Sequence, residues 1–405
     1  MDTVRTVFDL IVPSCYMSSL DLRDAYYSVP INKLHRKFLR FEWEGKLYQF
    51  NALPNGLSSG PRIFTKIMKP VFAHLRQLGV VSSGYIDDVF LMGNTYQQCL
   101  NNVCITIKLL SSLGFLIHKD KSNFEPQQSL EHLGFNLDSV NMVVSLPFEK
   151  SKKLICSCQN LLVYTKPKIR MVAQVIGLMV SSLPAISNGE IYYRILEIEK
   201  INALKVAEGD YEQTMCLSKQ ARQDLLWWCA NLEASSRSLV ESLPSVTLQT
   251  DASLLGWGAV LREVSTGGRW NEVESKHHIN YLELKAALFG LQALCVDVHN
   301  EHVRIEMDNT TAVAYVNSKG GSKSPLCNFI AREISLWCIE HNITLSASHI
   351  PGVSNHSADR ESRVFDDKTE WALNKSLFNE LSDIFGHPDI DMFASRLNKS
   401  RLTSM

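Results

Sequence analysis

Hydrophobic and polar positions divide the chain into four blocks. In residues 1–148 short apolar runs dominate. Val80-Val81 and Val89-Phe90-Leu91-Met92 flank Tyr85-Ile86-Asp87-Asp88 and predict two strands joined by a tight turn. Ser19-Leu20-Asp21 predicts a strand running into a turn or short helix through Asp24-Ala25-Tyr26. Residues 38–43 and 46–50 predict a hairpin turning at Glu44-Gly45. Leu53-Pro54-Asn55-Gly56-Leu57 opens a Gly/Pro-rich loop that feeds an amphipathic helix over 62–78. Residues 149–243 have a helical period, with helices predicted over 150–162, 169–181, 191–204 and 218–232. Residues 244–365 read strand, strand, helix, strand, helix: strands over 245–251, 257–261 and 303–309, a helix over 279–294, and a helix start at Ala358-Asp359-Arg360. In the tail, 366–405, a helix is predicted over 368–385. The fold class expected is α+β and multidomain.

Composition narrows this little. The 405 residues allow two to four domains, and 45% hydrophobic with 20% charged residues is ordinary globular composition. The net charge of -1 gives no overall basic field. Local basic clusters at Lys119 and Lys121, at Lys150, Lys152 and Lys153, and at Lys166, Lys168 and Arg170 read as solvated helix faces. The ten cysteines are scattered without zinc spacing and fit free thiols in a reducing compartment. The start of the chain lacks the plan of a signal peptide, and the most apolar stretch, 171–186, is too short to span a bilayer. The expectation is an intracellular protein, cytoplasmic and/or nuclear, with no membrane partner.

Candidate chemistry lies in carboxylates. Asp87-Asp88 reads either as an exposed acidic turn or as a buried pair needing a counter-charge, which Mg²⁺ would supply through hard oxygen ligands. Asp21 either faces a site from its strand end or caps the helix that follows. Asp251 and Asp308 end strands, Glu283 lies in the first turns of a helix, and Asp359 opens another. Each alone reads as a cap or surface charge; their order on alternating elements carries weight through the resemblance described next. His349 and His356 read as ordinary surface histidines.

These residues carry a resemblance. Asp21 with Ala25-Tyr26, the Leu53-Pro54-Asn55-Gly56-Leu57 loop, and Tyr85-Ile86-Asp87-Asp88 resemble motifs A, B and C of reverse transcriptases. Leu113-Gly114-Phe115 with Lys121-Ser122 resembles motif D, and Leu130-Glu131-His132-Leu133-Gly134-Phe135 resembles motif E, the primer grip. Thr250-Asp251-Ala252-Ser253, Glu283, Met307-Asp308-Asn309 and Asn355 with Asp359 resemble type I ribonuclease H. That resemblance would make His349 or His356 the family's mobile-loop His. The flanking wording is most similar to retrotransposons of the DIRS-like group, as is the tail segment 387–398. The resemblance implies a palm with truncated fingers in 1–148, a helical thumb and connection in 149–243, a ribonuclease H domain in 244–365, and a C-terminal tail in 366–405. It implies an RNA-directed DNA polymerase with ribonuclease H activity. Two Mg²⁺ (or Mn²⁺) ions per site would be held by Asp21, Asp87 and Asp88, and by Asp251, Glu283, Asp308 and Asp359. Asp24, Ala25, Tyr26, Asn55, Gly56 and Lys121 would contact the deoxynucleoside triphosphate, with Tyr26 as steric gate. Leu133, Gly134 and Phe135 would grip the primer. The implied partners are an RNA or DNA template with its primer, and the RNA–DNA hybrid. Two departures stand out: Asn55 replaces the family's aromatic or Gln, and only twenty residues precede Asp21. A copy with ribonuclease H activity alone, or a non-catalytic nucleic-acid-binding remnant, is the alternative.

Overall fold

The structure is a computed structural model that describes residues 2–233, 235–240, 242–365 and 374–386. The chain begins α1 (Val4–Leu10), β1 (Tyr16–Arg23), β2 (Arg40–Trp43), β3 (Lys46–Gln49), α2 (Gly60–Gln77), β4 (Val81–Tyr85), β5 (Asp88–Gly93) and α3 (Tyr96–Ser112). Short strands β6 (Leu116–Ile117), β7 (Asn123–Gln127), β8 (Ser129–His132), β9 (Phe135–Asp138) and β10 (Val143–Ser145) follow. Next come α4 (Phe148–Val163), α5 (Ile169–Ser182), α6 (Arg194–Val206), α7 (Lys219–Asn231) and β11 (Ser236–Ser238). The remainder is β12 (Val246–Ala252), β13 (Gly256–Leu261), β14 (Val264–Arg269), α8 (Ile279–Leu294), β15 (His302–Met307), α9 (Thr310–Asn317), α10 (Pro325–Glu340), β16 (Thr344–His349), α11 (His356–Arg363) and α12 (Lys375–Phe385). The α+β, multidomain class is the one expected. Two compact units form: Met1–Gly189 with Ser218–Glu241, and Glu190–Leu217 with Ser242–Met405.

The first unit is built on a sheet of order β4-β5-β1-β6, with β7 also paired to β1. Val89, Phe90 and Leu91 of β5 are wholly buried, which places this strand inside the unit and explains its unbroken apolar run. The apolar stripe of α2, through Phe64, Met68, Phe72 and Leu75, covers this core. Gly84 lets α2 approach β4, since a Cβ there would lie 2.1 Å from the Phe72 ring. A second sheet, of order β11-β10-β9-β8, lies in the same unit. Arg222 of α7 donates to the carbonyls of Leu162 and Tyr164, satisfying backbone left open where α4 ends.

In the second unit the sheet order is β14-β13-β12-β15-β16. The first three strands are antiparallel, and β15 runs parallel to both β12 and β16. Leu284, Ala287, Leu288 and Leu291 of α8 enter the core against Leu248 and Ala259. On β13 the neighbouring position, Gly258, faces α11 instead, because successive strand residues point to opposite faces.

The helical block expected over 149–243 is divided: α4, α5 and α7 belong to the first unit and α6 to the second. The Arg332 guanidinium of α10 accounts for part of this. It donates to the Ile191 carbonyl at 2.9 Å and lies over the Tyr192 ring, tying 190–217 to the second unit. Of the tail, α12 falls within the helix predicted over 368–385, whereas 366–373 and the segment 387–398 lie outside the described residues.

Candidate functional site

Two acidic centres are present, one in each unit. In the first, β4 and β5 pair from Val81↔Met92 to Tyr85↔Asp88, leaving Ile86 and Asp87 as a two-residue turn. Ile86 sits at φ 58°, a region that is costly for a β-branched side chain. The β1–β5 register ends at Asp21↔Asp88, so two carboxylates stand side by side across the sheet. The Leu22 amide donates to the Asp87 carbonyl at 2.9 Å and fixes the turn against β1. Burial first, then the charges of Asp87 and Asp21, push the Asp88 carboxyl up to about 6, with Lys121 opposing.

A cavity of about 580 Å³ opens beside this turn, lined by Asp21, Asp24, Ala25, Tyr26, Asn55, Asp87, His118 and Lys121 among others. Five of the six residues expected to contact a nucleotide therefore share one cavity with two of the acids. The sixth, Gly56, is exposed next to Asn55 at φ 85°. Tyr26 packs edge-on against Phe64 at 5.4 Å between ring centroids, so the ring is anchored in the core as well as facing the cavity. Asp21 is fixed by its backbone. Its amide donates to Ser122 Oγ at 3.0 Å, and its carbonyl accepts from the His118 amide at 2.8 Å. His118 was not singled out from sequence. It lines the cavity, and its buried Nδ1 has no hydrogen-bond partner. The available signal was its position three residues before Lys121.

Leu133 and Gly134 form the turn between β8 and β9 at φ 50° and 73°, the pattern of a two-residue hairpin turn with both centres left-handed. Phe135 is buried beneath Lys150, whose Nζ lies 4.3 Å from the ring centroid and donates to the carbonyls of Ser181 and Gly134. His132 is buried against the Phe90 ring, and burial lowers it to about 4, leaving it neutral near pH 7.

In the second unit, β12 and β15 pair in parallel through Gln249↔Glu306; carried two residues on, that register sets Asp251 beside Asp308. Glu283 reaches them from the first turns of α8. One carboxylate oxygen from each of the three lies within 4.8 Å of the others, the one such group of three or more among the described residues. Burial, then Asp251 and Asp308, drive the Glu283 carboxyl up to about 9, while the Ala252 amide opposes. Glu283 Oε2 is buried without a partner. Burial also raises Asp251, opposed by the Ser362 hydroxyl. Three crowded carboxylates and one orphaned oxygen match the donor set of a divalent cation bound by hard oxygens.

Asp359, the fourth acid expected at this centre, lies on α11. Its Oδ1 accepts two N–H bonds from Arg363, at 2.8 and 2.6 Å, and it stands outside the group of three. The pair is four residues apart on α11, the spacing that favours such a contact. His349 ends β16 opposite Met307, one residue before Asp308, while His356 opens α11; both are exposed.

Residues 4–137 match the family model described as reverse transcriptase (RNA-dependent DNA polymerase). The enzymatic polyprotein of cauliflower mosaic virus (strain D/H) is 23% identical over 370 residues, covering 86% of this chain and 50% of that protein. The Pro-Pol polyprotein of simian foamy virus type 1 is 27% identical over 165 residues, 40% of this chain and 13% of that protein. The chain spans about half the length of the caulimovirus relatives it matches. A solved foamy viral protease-reverse transcriptase in complex with RNA/DNA hybrid is similar at 16% identity and TM-score 0.49, covering 90% of this chain and 48% of that one. Residues 4–137 are thus similar to reverse transcriptase domains, and the chain is similar in sequence to viral polyproteins. No helix among the described residues is long and apolar enough to cross a membrane.

Proposed function

We propose that the chain is an RNA-directed DNA polymerase with ribonuclease H activity, from a retrotransposon of the DIRS-like group. The observation that carries the polymerase reading is the cavity at the β4–β5 turn, within a domain matched to reverse transcriptases. Asp21, Asp87 and Asp88 would hold divalent ions there, and Asp251, Glu283, Asp308 and Asp359 would hold them in the second unit. When bound, such ions, Mg²⁺ or Mn²⁺, activate the attacking oxygen and stabilise the leaving group at phosphorus. The Tyr26 ring, held by Phe64, would exclude a ribose 2′-hydroxyl and favour deoxynucleotides. The backbone at Asp24 and Ala25, the Asn55–Gly56 turn and the Lys121 ammonium would orient the triphosphate. The Leu133–Gly134–Phe135 turn, braced by Lys150, would hold the primer. Template, primer and hybrid are polyanions, so binding should weaken with salt.

Primer extension tests the first activity: a primed RNA template, four deoxynucleotides and Mg²⁺, with Asp88→Asn alongside. Extension that disappears in the variant is expected. A folded protein that binds the duplex but extends nothing would remove the polymerase reading. One observation favours a second reading, ribonuclease H activity alone: among the described residues, the close three-carboxylate group belongs to the second unit. In that case a labelled hybrid is cut, Asp308→Asn abolishes the cut, and no extension occurs.

A further inference from the structure

We propose that Ser362 is a positioning residue of the second acidic centre: its hydroxyl holds one oxygen of Asp251, leaving the other to the metal. The proposal rests on the ribonuclease H reading of that centre. Ser362 is wholly buried on α11. Its Oγ lies 2.7 Å from Asp251 Oδ2 and 2.8 Å from the Asp359 carbonyl, both acceptors. One hydroxyl carries one proton, and an ionised carboxylate is the stronger acceptor, so the proton goes to Asp251. Asp251 Oδ1 receives only a long contact, 3.5 Å, from Asn355 Nδ2. That side chain donates mainly to the Thr250 carbonyl, at 2.9 Å. The two oxygens of Asp251 are therefore unequal: Oδ2 is engaged, and Oδ1 is free to ligate.

The rest of α11 fixes the reach of that hydroxyl. Ser253 Oγ donates to the Ser362 carbonyl at 2.7 Å. Beneath the helix, a Cβ at Gly258 would lie 2.3 Å from the Ala358 carbonyl, and one at Gly267 would lie 2.7 Å from the Glu361 carbonyl. The helix is thus seated on bare backbone and cannot settle closer. Groups that orient a metal's ligands in this way commonly change metal affinity by about 10–100-fold when removed.

The test is Mn²⁺ affinity of the full chain, measured by calorimetry, with the signal assigned as the part lost in Asp308→Asn. Ser362→Ala should weaken that binding by about tenfold, and Ser362→Thr, which keeps the hydroxyl, should restore it. Should Ser362→Ala fail to fold, Ser362→Cys carries the test, since it keeps the volume with only a weak donor. Wild-type affinity in Ser362→Ala or Ser362→Cys overturns the proposal while leaving the metal centre standing. Equal loss in Ser362→Ala and Ser362→Thr, together with a lower metal-free melting temperature, also overturns it in favour of simple packing. Wild-type protein without Asp308-dependent Mn²⁺ binding overturns the metal centre itself, and Ser362 with it.

Discussion

Glu283 is buried with one oxygen unpaired, and its carboxyl is raised from 4.5 to about 9. A raised folded value means that the folded chain holds a proton which the unfolded chain has released. Its stabilising contribution is full below about pH 4.5 and is lost as pH rises toward 9. Asp88 has the same sign in the narrower window from 3.8 to about 6, so of these two carboxyls Glu283 alone titrates between 6 and 9, where Cys229, lowered to about 7 by its contact with Cys158, contributes with the opposite sign. Melting curves of metal-free protein should fall across that interval. Mn²⁺ should reverse the fall, and Glu283→Gln should flatten it. Gly258 gives a second prediction at this scale. Gly258→Ala sets a Cβ against the Ala358 carbonyl and should destabilise the second unit by about 1–3 kcal/mol in denaturant titrations. Asp251, Glu283 and Asp308 stand out in the sequence only together, in order on alternating elements and through their resemblance to ribonuclease H motifs. Ser362 does not stand out, because its significance comes only from α11 crossing the sheet 111 residues away in sequence from Asp251.

Elements with a strong local pattern were legible. The hairpin around Asp87 and Asp88 is found as β4 and β5, and α8 spans the predicted 279–294. The sheet of β8 to β11 was not. Ser236–Ser238 is a polar tripeptide with no alternation, and it becomes a strand only because β10 pairs with it. Pairing partners distant in sequence leave no local trace. The β2–β3 hairpin is the reverse case: easily read, yet weakly held. Every residue of both strands is exposed, and Phe41 is in contact mainly with Tyr48 and Phe50 along the same hairpin. Two-stranded hairpins are marginal without a covered face. Amides of β2 and β3 should therefore exchange with solvent far faster than those of Val89, Phe90 and Leu91, as followed by mass spectrometry. Equal protection would show that this hairpin is covered in solution.

For the whole molecule, the two acidic centres use separate residues on separate units. On the proposed function, Asp88→Asn should abolish extension and leave hybrid cleavage within about twofold, given that sites sharing no residues or partners act independently. Asp308→Asn should do the converse. Loss of both activities from either substitution would mean that the centres are not independent.

The order of segments along the chain also bears on how the protein can be dissected. The first unit is left unfinished at Gly189; the chain serves the second unit through Leu217 before returning with α7 and β11. During synthesis, β10 must wait for an edge strand that emerges some ninety residues later, at Ser236–Ser238. Such delayed closure slows folding and leaves an unpaired strand edge open to misassembly. A fragment ending at Gly189 would lack α7 and β11, and one beginning at Ser242 would lack the 190–217 segment that Arg332 grips. No single cut separates the units intact, so a working polymerase or nuclease half has to be made by rejoining segments rather than by truncation.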